Sequence, residues 1–238
     1  MILAIENLSK SFGSVTVADG IDLSVEEGAA VGIIGPNGAG KSSLFNLITG
    51  DVAADTGTIR LDGEDVTALP PEARCRAGIG RSYQVPKPFE TLTVFENLLV
   101  GAMYGRGMTE AGAVPHCAGI LENTGLADRA NRLAGSLTLL ERKRLEMARA
   151  LSTKPRILLL DEIAGGLTDE ECGVLVKTIA DVNASGITIV WIEHIVHALL
   201  AAVGRLVVLD AGRIVADGEP HKVIASREVQ ETYMGLAD

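Results

Sequence analysis

The stretch VGIIGPNGAGKSS, residues 31–43, decides the fold. An apolar run of strand length leads into a glycine-rich loop, and the helical pattern SLFNLITG follows. The loop fits G-x-x-x-x-G-K-[ST], with Gly35, Gly40, Lys41 and Ser42 in the defining positions. Glycine lets the backbone wrap around a phosphate without Cβ clashes, and the N-terminus of the next helix adds a positive end. The sequence therefore predicts a nucleotide phosphate-binding loop in an α/β fold.

Each residue type in this loop suits one part of the nucleotide. The Lys41 ammonium is predicted to reach the β- and γ-phosphates, and the Ser42 hydroxyl is predicted to ligate Mg²⁺. Backbone N–H groups that converge on a phosphate complete the loop. The residues predicted to bind nucleotide here are Asn37, Gly38, Gly40, Lys41, Ser42 and Ser43.

A second stretch, RILLLDE (residues 156–162), ends in two carboxylates. Its apolar residues predict a buried strand, which delivers Asp161 and Glu162 to the carboxyl edge of the sheet, where ligands bind in open α/β folds. We expect Asp161 to hold Mg²⁺, directly or through water. Glu162 is placed to polarise an attacking water as the general base. The two stretches together predict a nucleotide-hydrolysing site.

Strand-like runs alternate with helical patterns along the chain, which indicates a mostly parallel sheet covered by helices. A helical segment without strand signal interrupts this alternation, and we expect an α-helical subdomain at 86–153 inserted into a nucleotide-binding core of 1–85 and 154–238. Hairpins are predicted around Asp62-Gly63 and Ala211-Gly212. The predicted strands are 30–34, 78–83, 157–160, 187–192 and 206–209.

Composition limits the classes of function. The chain has 238 residues, of which 47% are hydrophobic, and a formal net charge of -10, which argues against nucleic acid or anionic lipid as a direct partner. No apolar run approaches the roughly 20 residues that cross a bilayer, and no secretory signal is predicted. Cys75, Cys117 and Cys172 form no CxxC pair, which favours reduced structural thiols in the cytosol.

Four features resemble the ATP-binding-cassette (ABC) ATPases, and the resemblance spans essentially the whole chain. Phe12 in LSKSFGSV stands where these proteins have an aromatic that stacks on adenine. Gln84 in GIGRSYQVPKPF resembles their glutamine loop, whose amide reaches Mg²⁺ and the attacking water. His194 in ITIVWIEHIVHAL resembles the switch histidine that contacts the γ-phosphate. Finally, RLEMARAL ahead of ILLLDE resembles the helix that follows the family signature.

Within this family, ARCRAGIGRSYQVPKPFETLTVFENLLVGA and RIVADGEPHKVI are similar to the ATPase subunits of branched-chain amino acid importers. That branch also serves urea and related small polar solutes. The resemblance implies hydrolysis of ATP to ADP and phosphate by a cytoplasmic subunit, peripheral on the inner face of the membrane. Its implied partners are membrane permease subunits, a second ATPase subunit (a homodimer or a paralogue heterodimer) and, indirectly, an external solute-binding protein, with no nucleic acid.

The family signature is commonly Leu-Ser-Gly-Gly-Gln, and LTLLE (residues 137–141) occupies its place. The resemblance implies that Thr138, Leu139 and Glu141 face the nucleotide held by a second subunit. Thr138 keeps a hydroxyl and, with Glu141, matches a capping box, while a Cβ at Leu140 limits close approach to phosphate. Glu141 replaces a neutral amide and adds negative charge. We expect a slower enzyme, since losing such a contact costs about 1–3 kcal/mol, rather than an inactive relic.

Two alternatives stay open at this stage. One is a soluble ABC ATPase that acts in DNA repair or on ribosomes, although such proteins usually carry two cassettes or long coiled-coil insertions, and this chain has neither. The other is a regulatory clamp that binds nucleotide without turnover. Thr168 departs from the family pattern, because a subunit-bridging Asp or Asn is common at its position. His197, one turn after His194, is interpreted as a helix-surface residue rather than a second switch histidine.

Overall fold

The computed structural model describes residues 1–227 and 229–230. Two sheets and the helices that cover them form the chain. The strands are β1 (Leu3–Phe12), β2 (Val15–Val25), β3 (Ala30–Ile34), β4 (Thr56–Leu61), β5 (Glu64–Asp65), β6 (Ile79–Arg81), β7 (Ile157–Asp161), β8 (Thr188–Ile192), β9 (Arg205–Asp210) and β10 (Arg213–Gly218). The helices are α1 (Lys41–Thr49), α2 (Pro71–Ala77), α3 (Val94–Val100), α4 (Glu110–Asn123), α5 (Leu139–Ser152), α6 (Asp169–Ala184), α7 (Val196–Leu200) and α8 (Pro220–Ala225).

The central sheet has the order β10-β9-β3-β8-β7-β6. Its strands run parallel, except that β10 pairs antiparallel with β9. Strand β3 has the predicted bounds, and β7, β8 and β9 differ from the predictions by one residue at one or both ends. The predicted strand 78–83 was too long, because β6 spans only Ile79–Arg81. β6 is an edge strand of the described sheet, and although the Ser82 amide still donates to the Leu159 carbonyl of β7 at 2.9 Å, the next residue, Tyr83, is exposed. Gln84 therefore lies beyond the strand rather than at its end.

The second sheet is antiparallel, with the order β2-β1-β4-β5, and the prediction of an antiparallel N-terminal portion is confirmed. Both predicted hairpins are present. Asp62 and Gly63 have φ of 51° and 81°, and Ala211 and Gly212 have φ of 44° and 78°. Two positive φ angles in succession match the turn that best fits the twist of paired strands.

Helices α3, α4 and α5 form the insertion between β6 and β7, as predicted. The described residues contain no strand between Arg81 and Ile157. A π-helical turn, Gly101–Gly105, extends α3 and packs closely against α5. This close packing favours glycine at position 101, because a Cβ there would lie 2.1 Å from the Ser152 hydroxyl. Within the part of the chain that the structure describes, no helix has the length and apolar character to span a bilayer.

Alternate residues of the central strands face two separate apolar layers. In β8, Ile189 and Trp191 pack with the helical insertion and α6, whereas Val190 and Ile192 pack with α1 and the antiparallel sheet. All of β7 is buried between these layers. The site residues that follow β3, β7 and β8 are thus carried by strands with little freedom to move.

Candidate nucleotide site

The phosphate loop joins β3 to α1, as the sequence predicts. Gly40 has φ of 102°, and a Cβ there would lie 2.2 Å from the Val17 carbonyl oxygen, so only glycine fits. No side chain caps α1, and the N–H groups of its first turn are available to an anion. Asn37, Gly38 and Ser42 are exposed at the mouth of the loop, and Ser43 is half-buried. This backbone geometry suits a phosphate group.

Lys41 lies folded within the loop. Its ammonium donates to the carbonyl oxygens of Gly35 at 2.8 Å and Pro36 at 3.0 Å. Burial lowers the pKa of Lys41, while the carboxylates of Glu162 and Asp161 oppose that shift. The side chain is therefore a buried cation beside two carboxylates, at the position where the motif predicts contact with phosphate.

The carboxylate of Glu162 brings three predicted residues together. Its Oε1 lies 2.7 Å from Nε2 of His194, and its Oε2 accepts a hydrogen bond from the Gln84 amide at 2.5 Å. Glu162 itself has φ of 47°, a left-handed conformation that is uncommon outside glycine, and its N–H donates to the Ile192 carbonyl at 2.8 Å. Uncommon backbone conformations of this kind cluster at functional sites.

Asp161, at the end of β7, holds one carboxylate oxygen free. Its Oδ2 accepts from the Arg81 guanidinium at 2.8 Å, whereas Oδ1 is buried and has no hydrogen-bond partner among the described residues. A buried acceptor without a donor is costly unless a cation or water binds it. A free carboxylate oxygen together with the exposed Ser42 hydroxyl is a donor set that fits Mg²⁺.

Sequence reasoning missed Lys143 on α5. This buried ammonium donates to the carbonyl oxygens of Gln84 at 3.3 Å and Glu162 at 3.4 Å. Burial lowers the pKa of Lys143, and the carboxylates of Glu193 and Glu162 oppose the shift. The available signal was a lysine on the buried face of an amphipathic helix, which needs a partner.

Glu193 was also missed. Its buried carboxylate accepts from the Ala164 amide at 2.7 Å and from the His194 amide at 3.0 Å. These two bonds fix the turn that follows Glu162 and the start of the segment that carries His194. A charged residue directly after the apolar strand β8 was the signal in the sequence.

The predicted capping box at the start of α5 is confirmed. The Glu141 amide donates to the Thr138 hydroxyl at 3.3 Å, and the Glu141 carboxylate accepts from the Thr138 amide at 2.9 Å. Arg129 also donates to this carboxylate at 2.6 Å. Burial alone would raise the pKa of Glu141, but these hydrogen bonds outweigh it and lower the pKa. The expected extra negative charge is therefore paired within its own chain.

Three further positions lie away from this cluster. Phe12 is about half exposed, with the Lys10 ammonium 5.3 Å from its ring centroid. The Thr168 hydroxyl caps α6 together with Glu171, so it is already engaged within the chain. Leu139 is also exposed, beside Thr138.

The matching protein-family model is described as ABC transporter and covers residues 18–165. The chain belongs to the ABC transporter ATP-binding family. Members of this family bind ATP and ADP and hydrolyse ATP, so the phosphate loop described above belongs to an ABC ATPase. The family and the fold class predicted from the sequence are both confirmed.

Relatives of this ABC protein match it over nearly the full length. The high-affinity branched-chain amino acid transport ATP-binding protein BraF of Pseudomonas aeruginosa is 36% identical and covers 99% of this chain and 98% of its own. The lipopolysaccharide export system ATP-binding protein LptB of Haemophilus influenzae is 34% identical, with 98% and 97% covered. A crystal structure of an ABC-transporter cassette in its ADP conformation superposes with a TM-score of 0.90 at 34% identity, with 98% of each chain covered.

Proposed function

We propose that this chain is the ATP-hydrolysing motor subunit of an ABC importer for branched-chain amino acids or a related small polar solute. The observation that carries hydrolysis is the Glu162 carboxylate, bound by both Gln84 and His194 beside a free oxygen of Asp161. The observation that favours import is the BraF relative, whose name is that of a branched-chain amino acid transport protein.

In this proposal Glu162 accepts a proton from the attacking water, and Gln84 and His194 orient its carboxylate toward that water. Lys41 leaves its loop carbonyls to bind the β- and γ-phosphates, and Ser42, Asp161 and Gln84 would hold Mg²⁺. When bound, Mg²⁺ neutralises phosphate charge. Phe12, with its exposed ring, stacks on the adenine. The remaining phosphate contacts come from the amides around Asn37, Gly38, Gly40 and Ser43.

A second ATPase subunit, either another copy or a paralogue, completes the site. Thr138, Leu139 and Glu141 face the nucleotide on the partner's phosphate loop. Support comes from the capping box, which uses the Glu141 amide and leaves the amides of Leu139 and Leu140 for an anion. The Leu139 side chain is 43% exposed in the single chain, so a second subunit that packs on it would bury apolar surface.

The permease partner is assigned to a surface groove between α2 and α5, the α2–α5 groove. Its volume is about 360 Å³, and its walls include Asp51, Cys75, Tyr83 and Phe89. Tyr83 directly precedes Gln84 and Phe89 follows it by five residues, and these two side chains expose 48% and 46% of their surface. We therefore place a permease segment in this groove, where it contacts residues next to Gln84 and moves with the glutamine loop.

Docking on the permease puts the chain on the cytoplasmic face of the membrane, and an external solute-binding protein supplies the solute. The movement we propose divides the chain into a helical part (86–153) and a core (1–85 and 154–238, of which 228 and 231–238 lie outside the described residues). The α2–α5 groove lies on this division, because α2 belongs to one part and α5 to the other.

Uptake of radiolabelled leucine tests the import function. A strain that lacks this gene is complemented with the wild type, with Glu162→Gln or with His197→Ala, whose histidine is exposed on α7. We expect uptake with the wild type and with His197→Ala, and none with Glu162→Gln. Undiminished uptake in the deletion strain overturns the branched-chain assignment.

The LptB relative makes export a second candidate, because its identity of 34% is close to that of BraF. The same complemented strains separate the two functions. Loss of outer-membrane lipopolysaccharide with intact leucine uptake supports export. A regulatory clamp is distinguished by phosphate release from the purified protein, which a clamp does not show.

A further inference from the structure

Arg81 lies between the nucleotide site and the α2–α5 groove. It is the last residue of β6, and its side chain is only 7% exposed. One side of its guanidinium faces Asp161 in the nucleotide site, and the residue also lines the groove. None of the roles assigned above uses this arginine.

The guanidinium fork of Arg81 is shared among four acceptors. Nη2 donates to Asp161 Oδ2 at 2.8 Å. Nη1 donates to Asn46 Oδ1 at 2.6 Å and approaches Asp51 Oδ2 at 3.4 Å and the Thr49 hydroxyl at 3.5 Å. The rings of Phe45 and Tyr83 lie 5.6 Å and 4.9 Å from the guanidinium carbon. A planar cation held by ring contacts and a fork of hydrogen bonds has little rotational freedom.

This arrangement divides one positive charge between two carboxylates. Asp161 is buried and supplies the free oxygen predicted to bind Mg²⁺, while Asp51 is partly exposed on the groove wall. The more Arg81 is attracted to Asp51, the less it neutralises Asp161, since both pairs use the same guanidinium.

We propose that Arg81 is a positioning residue that links the α2–α5 groove to the metal-binding carboxylate. Its contact with Asp51 determines how much negative charge Asp161 presents to Mg²⁺. The inference rests on the proposed function for the metal site. When a cationic or hydrogen-bond-donating group of the permease segment binds the Asp51 carboxylate, Arg81 pairs with Asp161 only. The guanidinium then neutralises more of the Asp161 charge, and Mg²⁺ binds more weakly. Groove occupancy is thus transmitted to the nucleotide site through one side chain.

The test measures how Mg²⁺ concentration affects binding of a fluorescent ATP analogue, in a Glu162→Gln parent that does not turn over. Asp51→Asn removes the charge but keeps an acceptor for Thr49, whose hydroxyl donates to Asp51 at 2.7 Å. We expect it to raise the Mg²⁺ concentration at half-saturation about twofold to fivefold, the small range typical of a partly exposed ion pair.

Glu72→Gln is the matched control. Glu72 lines the same groove, and among the described residues it makes no hydrogen bond or ion pair with Arg81. We expect this variant to keep the Mg²⁺ dependence of the parent. If Asp51→Asn and Glu72→Gln behave alike, the groove is not linked to the metal site through Arg81, and the inference is wrong.

A double-mutant cycle separates the link from a direct field effect. In an Arg81→Met background the effect of Asp51→Asn should disappear, and Arg81→Lys, which keeps the charge without the fork, should reduce it. If the full effect persists in both backgrounds, Asp51 acts through space and the inference is overturned. A parent whose nucleotide binding ignores Mg²⁺ contradicts the proposed metal site itself, which is a different and recognisable failure.

Discussion

Nε2 of His194 lies 2.7 Å from Oε1 of Glu162, although the two residues are 32 positions apart. Strand register explains the contact. Asp161 pairs with Ile192 across the parallel strands β7 and β8, so the residues just beyond both strands leave the sheet side by side. The left-handed backbone of Glu162 then allows its carboxylate to meet both His194 and Gln84.

Glu162→Gln should strongly lower the rate of steady-state phosphate release. The substitution removes the proton acceptor but keeps the size of the side chain, so we expect a fall in kcat of about 10²–10⁴-fold, the usual contribution of a general base. Binding of a fluorescent ATP analogue should persist, because Lys41 and the loop amides are unchanged. Glu170→Gln, an exposed acid in the first turn of α6, is the control. Undiminished hydrolysis by Glu162→Gln rejects Glu162 as the base.

His194→Ala should lower kcat by about 10²-fold, as the loss of one orienting donor does at other sites. The reason is that the Glu162 carboxylate then keeps only its bond from Gln84. His197→Ala is the matched control, since this histidine is exposed one turn later. Equal activity of the two variants in a phosphate-release assay is the result that contradicts a role for His194.

Lys143→Met should weaken both stability and turnover. The substitution leaves the carbonyls of Gln84 and Glu162 without their buried donor, which costs about 1–3 kcal/mol for a group of this kind. Urea unfolding measures the first effect and phosphate release the second. Lys177→Met on the exposed face of α6 should change neither.

A conservative variant separates positioning by Lys143 from simple packing. Lys143→Arg keeps a donor and a charge, so it should restore most of the kcat that Lys143→Met loses. It should restore less of the unfolding free energy, because a larger head group strains the buried site. If Lys143→Met unfolds more easily but hydrolyses ATP at the wild-type rate, the lysine has only a structural role.

Glu141→Gln restores the amide that the family signature usually has. Because Arg129 already pairs with Glu141, we expect hydrolysis to change by less than about threefold, within the small effect of a partly exposed pair. Arg129→Met, which frees the carboxylate charge, should lower ATP affinity more than Arg132→Met, its exposed control. A large gain in rate from Glu141→Gln contradicts this account.

Stability against pH gives an independent test of the same pair. The pKa of Glu141 is lowered from 4.5 in the folded chain, so its contribution to stability is present above pH 4.5 and is lost as pH falls through the folded pKa. Wild-type protein should therefore lose more unfolding free energy between pH 6 and acid than Glu141→Gln does. Urea titrations at both pH values measure the difference. Equal losses of unfolding free energy in the wild type and in Glu141→Gln would contradict the prediction.

Much of the site was predictable because its motifs are contiguous. The phosphate loop needs glycine, lysine and serine at fixed spacing, and it follows the buried strand β3 as predicted. The pair Asp161-Glu162 is found at the carboxyl end of the buried strand β7, with Asp161 as the last strand residue. The end of β6 was not predictable, because the alternating polar and apolar residues Ser82, Tyr83, Gln84 and Val85 continue a strand-like pattern past Arg81, although Tyr83 is already exposed. The long β1–β2 hairpin was not identified as two strands, and its register shifts interrupt the regular alternation of faces.

By itself, the sequence determined the family, the phosphate loop and the acidic end of β7, since each depends on residues adjacent along the chain. Only the tertiary structure decided which side chains hydrogen-bond to the Glu162 carboxylate. It also decided which carboxylates accept from the Arg81 guanidinium and which carbonyls accept from the Lys143 ammonium. Those contacts join residues up to 80 positions apart. Their geometry follows from strand register and helix packing, and these depend on the whole core rather than on any local pattern.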